Sequence, residues 1–196
     1  MKSLKLMGVL AGVGVMAAGA ALLVVEPAPA SAVVLSAPGG TIDPVHSSVV
    51  FKVKHMGKAN FYGVFKDVSG TFSLDEADAS KSSIDVAVKA DSVDTRNGGR
   101  DNHAKSADFL SAKEFPSITF KSTSVKKTGD KAFDVTGDMT FRGVTKPVTA
   151  KVTQTDDAGK GIEATFSIKR SDFGNNSAAG KGLSDEVDFI VALEAK

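Results

Sequence analysis

Arg100, Asp101 and His103 have the side chains that acid–base chemistry needs, within four positions of one another. A carboxylate beside an imidazole can orient the ring and favour its charged form, and such a pair can move a proton. The same residues also have a purely structural use. Asp101 can cap a short helix over 102–110, Arg100 can pair with a carboxylate, and His103 can bond a backbone carbonyl. The structural use is favoured, because nothing else of a reactive centre surrounds them. No serine stands in a G-x-S-x-G context and no H-E-x-x-H occurs. The absence of cysteine excludes a thiol nucleophile and a thiolate zinc site. The three histidines, His46, His55 and His103, lack metal-ligand spacing. No catalytic residue, metal or cofactor is therefore expected. The alternative is a hydrolase or isomerase that acts on a lipid-like substrate through His103 and Asp101. Arg142 and Arg170 are expected as cations at a rim, where they could meet a phosphate.

The elements that must position these residues read as strands. Val49, Phe51, Val53 and His55 share one parity, with Lys52 and Lys54 on the other. Positions 61–74 switch face between Phe65 and Val68, which predicts a bend near Lys66-Asp67. Further alternating runs cover 82–93, 116–121, 133–141, 144–152, 162–168 and 187–193. Asn97-Gly98-Gly99 turns the chain into the helical segment, Arg142-Gly143 makes a tight turn, and 169–182 reads as a flexible loop. Pro147 places the early part of its strand at an edge or rim. Eight strands with short turns, apolar on one face and polar on the other, predict an all-β antiparallel meander closed into a barrel, with a short helix over one end.

The inward residues decide what such a barrel holds. They include Phe51, Val53, His55, Phe61, Phe65, Phe72, Val86, Val88, Phe109, Phe120, Phe133, Met139, Phe166 and Phe189, interspersed with small residues at Gly63, Gly70, Gly137, Ala150 and Ala164. Large and small side chains can interdigitate as a solid core, which would suit a structural or interaction domain. Inward glycines can instead leave room for an apolar cavity. A cavity of that kind would bind an alkyl or isoprenyl chain at roughly 0.8 kcal/mol per buried CH₂.

Five ordered motifs bear on this choice: D-P-V-H-S-S-V-V-F-K-V-K-H-M-G at 43–57, S-V-D-T-R-N-G-G-R-D-N-H at 92–103, D-F-L through E-F-P-S-I-T-F at 108–120, V-T-G-D-M-T-F-R-G-V-T-K-P-V at 135–148, and I-K-R-S-D-F-G at 168–174. Together they resemble the YceI-like family of polyisoprenoid-binding, lipocalin-like exported proteins over about residues 41–195. The resemblance implies an extended eight-stranded barrel with a helix and an interior pore for a long isoprenoid, such as a polyprenyl phosphate or a quinone. Ala104-Lys105 replaces the expected Leu-Arg, and Leu110 stands where a second Phe is usual. The inward residues named above, with Arg142 and Arg170, are the expected ligand contacts.

The N-terminus predicts where the domain works. Lys2 and Lys5 precede an apolar run over 6–25, and Pro27, Pro29 and Ala30-Ser31-Ala32 follow as a cleavage region. Residues 1–32 are expected to be a signal peptide, 33–40 a tether and 41–196 the barrel, which gives a periplasmic or secreted protein. An uncleaved anchor is the rival reading. Cleavage would remove Lys2, Lys5 and Glu26 and leave 22 basic against 22 acidic side chains. A neutral domain has no electrostatic footprint for nucleic acid. The sequence leaves a homodimer open.

Overall fold

The computed structural model describes residues 39–177 and 182–196. The leader, most of the tether and part of the 169–182 loop lie outside the described residues. The strands are β1 (Gly39–Thr41), β2 (Ser48–His55), β3 (Ala59–Phe65), β4 (Val68–Ser73), β5 (Ser83–Lys89), β6 (Val93–Asp94), β7 (Ser117–Gly129), β8 (Ala132–Phe141), β9 (Val144–Gln154), β10 (Gly161–Lys169) and β11 (Leu183–Glu194). The α-helix among the described residues is α1 (Gly98–Lys105).

Eleven strands stand among the described residues where eight were expected, because two long strands are kinked and the tether's end adds a third extra strand. The predicted bend at Lys66-Asp67 divides one run into β3 and β4. Its hairpin partner bends with it. Phe65 faces Val93 before the corner and Val68 faces Val88 after it. Two backbone bonds stitch the corner: Lys66 donates to the carbonyl of Ser92, and Lys89 to that of Asp67. The first half of this kinked run pairs with β2 and the second half with β1. The end of the expected tether is thus strand, with Gly39 opposite Ser73 and Gly40 opposite Phe72.

From β5 the antiparallel order runs through β7, β8, β9, β10 and β11 to β2, so the sheet curls back onto the strand it started from. The wall is incomplete between β9 and β10. β10 pairs with β9 only between Lys151 and Gln154, and the earlier part of β9 has no ladder to β10. Pro147 lies in that part, where its missing N–H costs nothing.

Alternation puts the core on one face of the sheet. Phe72, Phe133, Val68 and Val135 are almost fully buried. The inward glycines do not leave empty room, as the sequence suggested; they seat aromatic rings. Space beside Gly63 is taken by Phe51, and a Cβ on Gly137 would lie 2.5 Å from Cζ of Phe120. Gly70, at φ 133° within β4, instead lets the backbone of Asp85 approach closely.

The helix begins a turn earlier than predicted and ends sooner. Asn97, not Asp101, is its N-cap, accepting from the Arg100 N–H at 2.9 Å. Asp101 points back instead, accepting from the N–H and the hydroxyl of Thr95 at 2.7 and 2.5 Å. It ties the helix to the end of β6, and its negative charge sits in the first helical turn, where the macrodipole favours it.

Candidate ligand-binding site

A cavity of about 550 Å³ occupies one end of the barrel. Its apolar wall comes from β2, β3 and β11 on one side, through Phe51, Val53, Phe61, Val187 and Phe189. Ile118, Met139, Phe141 and Ile168 line the other side. The turn after α1 contributes Phe109 and Leu110. A smaller space of about 80 Å³ adjoins it, with every lining residue apolar except Thr119.

Polar groups gather on the outer cavity. Arg100 and His103, three residues apart on α1 and so on the same helix face, both line it, together with His55, Asn60 and Thr95. The Arg100 guanidinium lies over the Phe61 ring with Cζ 4.4 Å from the centroid, and donates to the Thr95 hydroxyl and carbonyl. His103 Nε2 lies 3.2 Å from the Asp108 carboxylate, and its ring meets Phe109 edge-on at 4.9 Å. No aspartate or glutamate is among the described lining residues of this cavity.

Arg170 also lines the cavity, but it is not the solvated rim cation that the sequence suggested. It is 5% exposed. Its Nε donates to the Ser184 carbonyl at 3.0 Å, and its Nη1 to Asn175 Oδ1 at 3.3 Å and the Ser177 carbonyl at 2.8 Å. Burial lowers its pKa, and the Asp185 carboxylate opposes that shift. A short 3₁₀ turn over Arg170–Phe173 directs the side chain inward, where part of a flexible loop was expected.

Residues 41–195 match the YceI-like domain. The protein YceI of Escherichia coli O157:H7 is 45% identical over 156 residues, covering 76% of this chain and 81% of that protein. The chain belongs to the YceI-like family. BcnA of Burkholderia cenocepacia superposes with a TM-score of 0.73 at 25% identity, over 79% of this chain and 99% of its own. A polyisoprenoid binding domain from Saccharophagus degradans, implicated in plant cell wall breakdown, shares the fold at a TM-score of 0.60 and 15% identity, over 80% and 98% of the two chains.

On this YceI-like barrel the expected contacts fall into four groups. Phe51, Val53, His55, Phe61, Phe109 and Arg170 line the outer cavity. Val86, Val88, Phe120 and Phe166 line the inner space, while Phe65, Met139 and Phe189 line both. Phe72 and Phe133 line neither; each is 1% exposed and packs in the core. Arg142 lines neither as well. Its guanidinium donates to the carbonyls of Ala107 and Phe109 at 3.0 and 2.5 Å, so it braces a wall of the cavity. The His103–Asp101 pair of the catalytic alternative is not formed, since Asp101 bonds Thr95 and His103 bonds Asp108. Sequence reasoning kept Arg100 and His103 out of the binding set, although their spacing on one helix was the available signal.

Proposed function

We propose that this protein is an exported carrier that sequesters one long isoprenoid or similar amphipathic chain inside its barrel. The observation that carries the reading is the outer cavity: apolar over most of its wall, polar around Arg100, His103, His55 and Asn60, and without a carboxylate among its described lining residues. The tail would be buried at roughly 0.8 kcal/mol per CH₂. The head would lie against the Arg100 and His103 side of the cavity, which favours an electron-rich oxygen, such as that of a phosphate or a quinone carbonyl. Membership of the YceI-like family and the binding named for the Saccharophagus domain both support a ligand of this class. The two also favour a binding protein over an enzyme. The basic, apolar leader followed by Ala30-Ser31-Ala32 supports export to the periplasm or beyond.

The test is native mass spectrometry of the full chain expressed with its leader, followed by solvent extraction of the same sample. A stoichiometric bound mass that extracts as an isoprenoid is the expected result. The same spectrum reads the N-terminus, with a mass beginning near Val33 expected. A protein that arrives empty and refuses both polyprenyl phosphates and quinones on titration would overturn the carrier reading in favour of a structural domain.

A further inference from the structure

The outer cavity and the inner space share four wall residues: Phe65, Ile118, Met139 and Phe189. These four form the boundary that any apolar chain must pass to occupy both spaces. They differ in stiffness. Phe65 is braced by Phe51, with ring centroids 5.6 Å apart, and Phe51 is itself seated against Gly63. Phe189 stacks on Phe166 at 4.8 Å with the rings nearly parallel. Ile118 is β-branched and held to few χ1 states. Met139, 3% exposed on β8, is unbranched, and its three rotatable side-chain bonds let it refill irregular space.

We propose that Met139 is the movable wall between the two spaces and sets the length of chain that the barrel accepts. The proposal rests on the carrier reading. A short tail fills the outer cavity and leaves Met139 where it stands. A longer tail swings the thioether aside and extends into the inner space. The inner lining offers such a tail nothing but apolar contact apart from Thr119, so length, rather than any polar recognition, governs entry there.

The experiment compares farnesyl phosphate with geranylgeranyl phosphate, one isoprene unit longer, on the wild-type chain, Met139→Phe and Met139→Ala, by calorimetry and by NMR of ¹³C-labelled methionine methyls. Met139→Phe is expected to shift the affinity ratio by about tenfold against the longer chain, and Met139→Ala to shift it the other way. In the wild type, the Met139 methyl signal is expected to move with the longer chain and stay with the shorter. If both variants change the two affinities by the same factor, or the Met139 methyl ignores chain length, the proposal is overturned while the carrier reading stands. If neither phosphate binds the wild type, xenon, a small apolar probe, tests the wall instead. Xenon shifts at Leu193 and Val135 that are larger in Met139→Ala than in the wild type support a wall, and equal shifts overturn it. Should Met139→Phe fail to fold, Met139→Ile, stiff at χ1, takes its place with the same expected direction.

Discussion

The Phe51 ring lies where the side chain of its cross-strand partner Gly63 would be, and a methyl group added to Gly63 would overlap the end of the ring. An inward glycine on this sheet therefore shapes the cavity wall by admitting an aromatic ring. Gly63→Ala is expected to drive Phe51 toward the cavity or off its rotamer, at about 1–3 kcal/mol of stability. Urea unfolding reads that loss. Ligand affinity is expected to fall with it, because the displaced ring takes up cavity space. A variant as stable as the wild type would show that Phe51 has another place to go.

Arg142 and Asn175 converge on one acceptor, the carbonyl of Phe109, at 2.5 and 3.1 Å. That carbonyl fixes the Phe109 ring against the cavity, next to Arg170, whose Cζ lies 6.0 Å from the ring centroid. Arg142→Ala is expected to weaken binding several-fold through loss of wall geometry. The loss is expected to be equal for a prenyl phosphate and for a quinone of matched tail. A loss confined to the phosphate would return Arg142 to the head-group role that its sequence position suggested.

Parity located the bend at Lys66-Asp67 and the core face of the long strands, and the missing N–H of Pro147 located an edge. These follow from local features, which a sequence shows directly. It did not reveal that kinks multiply the strands, because a corner shared by two paired strands is a property of the pair. Nor did it separate cavity from core. Phe72 and Phe51 have the same residue type and the same expected orientation, yet one is packed shut and the other lines a void. Each ring has a glycine opposite, Gly63 for Phe51 and Gly40 for Phe72, and what separates them is position: Phe72 lies on β4, beyond the bend from the cavity-lining β3. Arg170 was misplaced for a related reason: a polar Gly-Asn segment reads as solvated, whereas three backbone and side-chain oxygens draw its guanidinium inside.

Arg170→Lys would accordingly not be conservative. A planar guanidinium reaches Ser184, Asn175 and Ser177 at once, and a single ammonium on a thinner stem cannot reproduce that fork. Leaving buried carbonyls short of a donor is expected to cost about 2 kcal/mol. Equilibrium unfolding in urea checks it. Equal stability of the two proteins would mean that the arginine is held for its charge alone.

Asp185 supplies the acid-side counterpart. It accepts from the hydroxyl and the N–H of Ser171 at 2.6 and 2.9 Å, and these bonds, the hydroxyl first, hold its pKa below the ordinary 3.8, with help from the charge of Arg170. A carboxyl whose folded pKa is depressed contributes stability that is fully present above the unfolded value and is lost as pH falls through the folded one. Asp185→Asn is therefore expected to be less stable than the wild type at neutral pH, by about 1 kcal/mol for weakened bonds to a charged acceptor. The gap should close as pH drops below 3.8, where the wild-type carboxyl takes up its proton. Thermal unfolding of both proteins from pH 7 to pH 3 measures it. A gap that stays constant across that range would show that the Ser171 bonds do not depend on the carboxylate's charge.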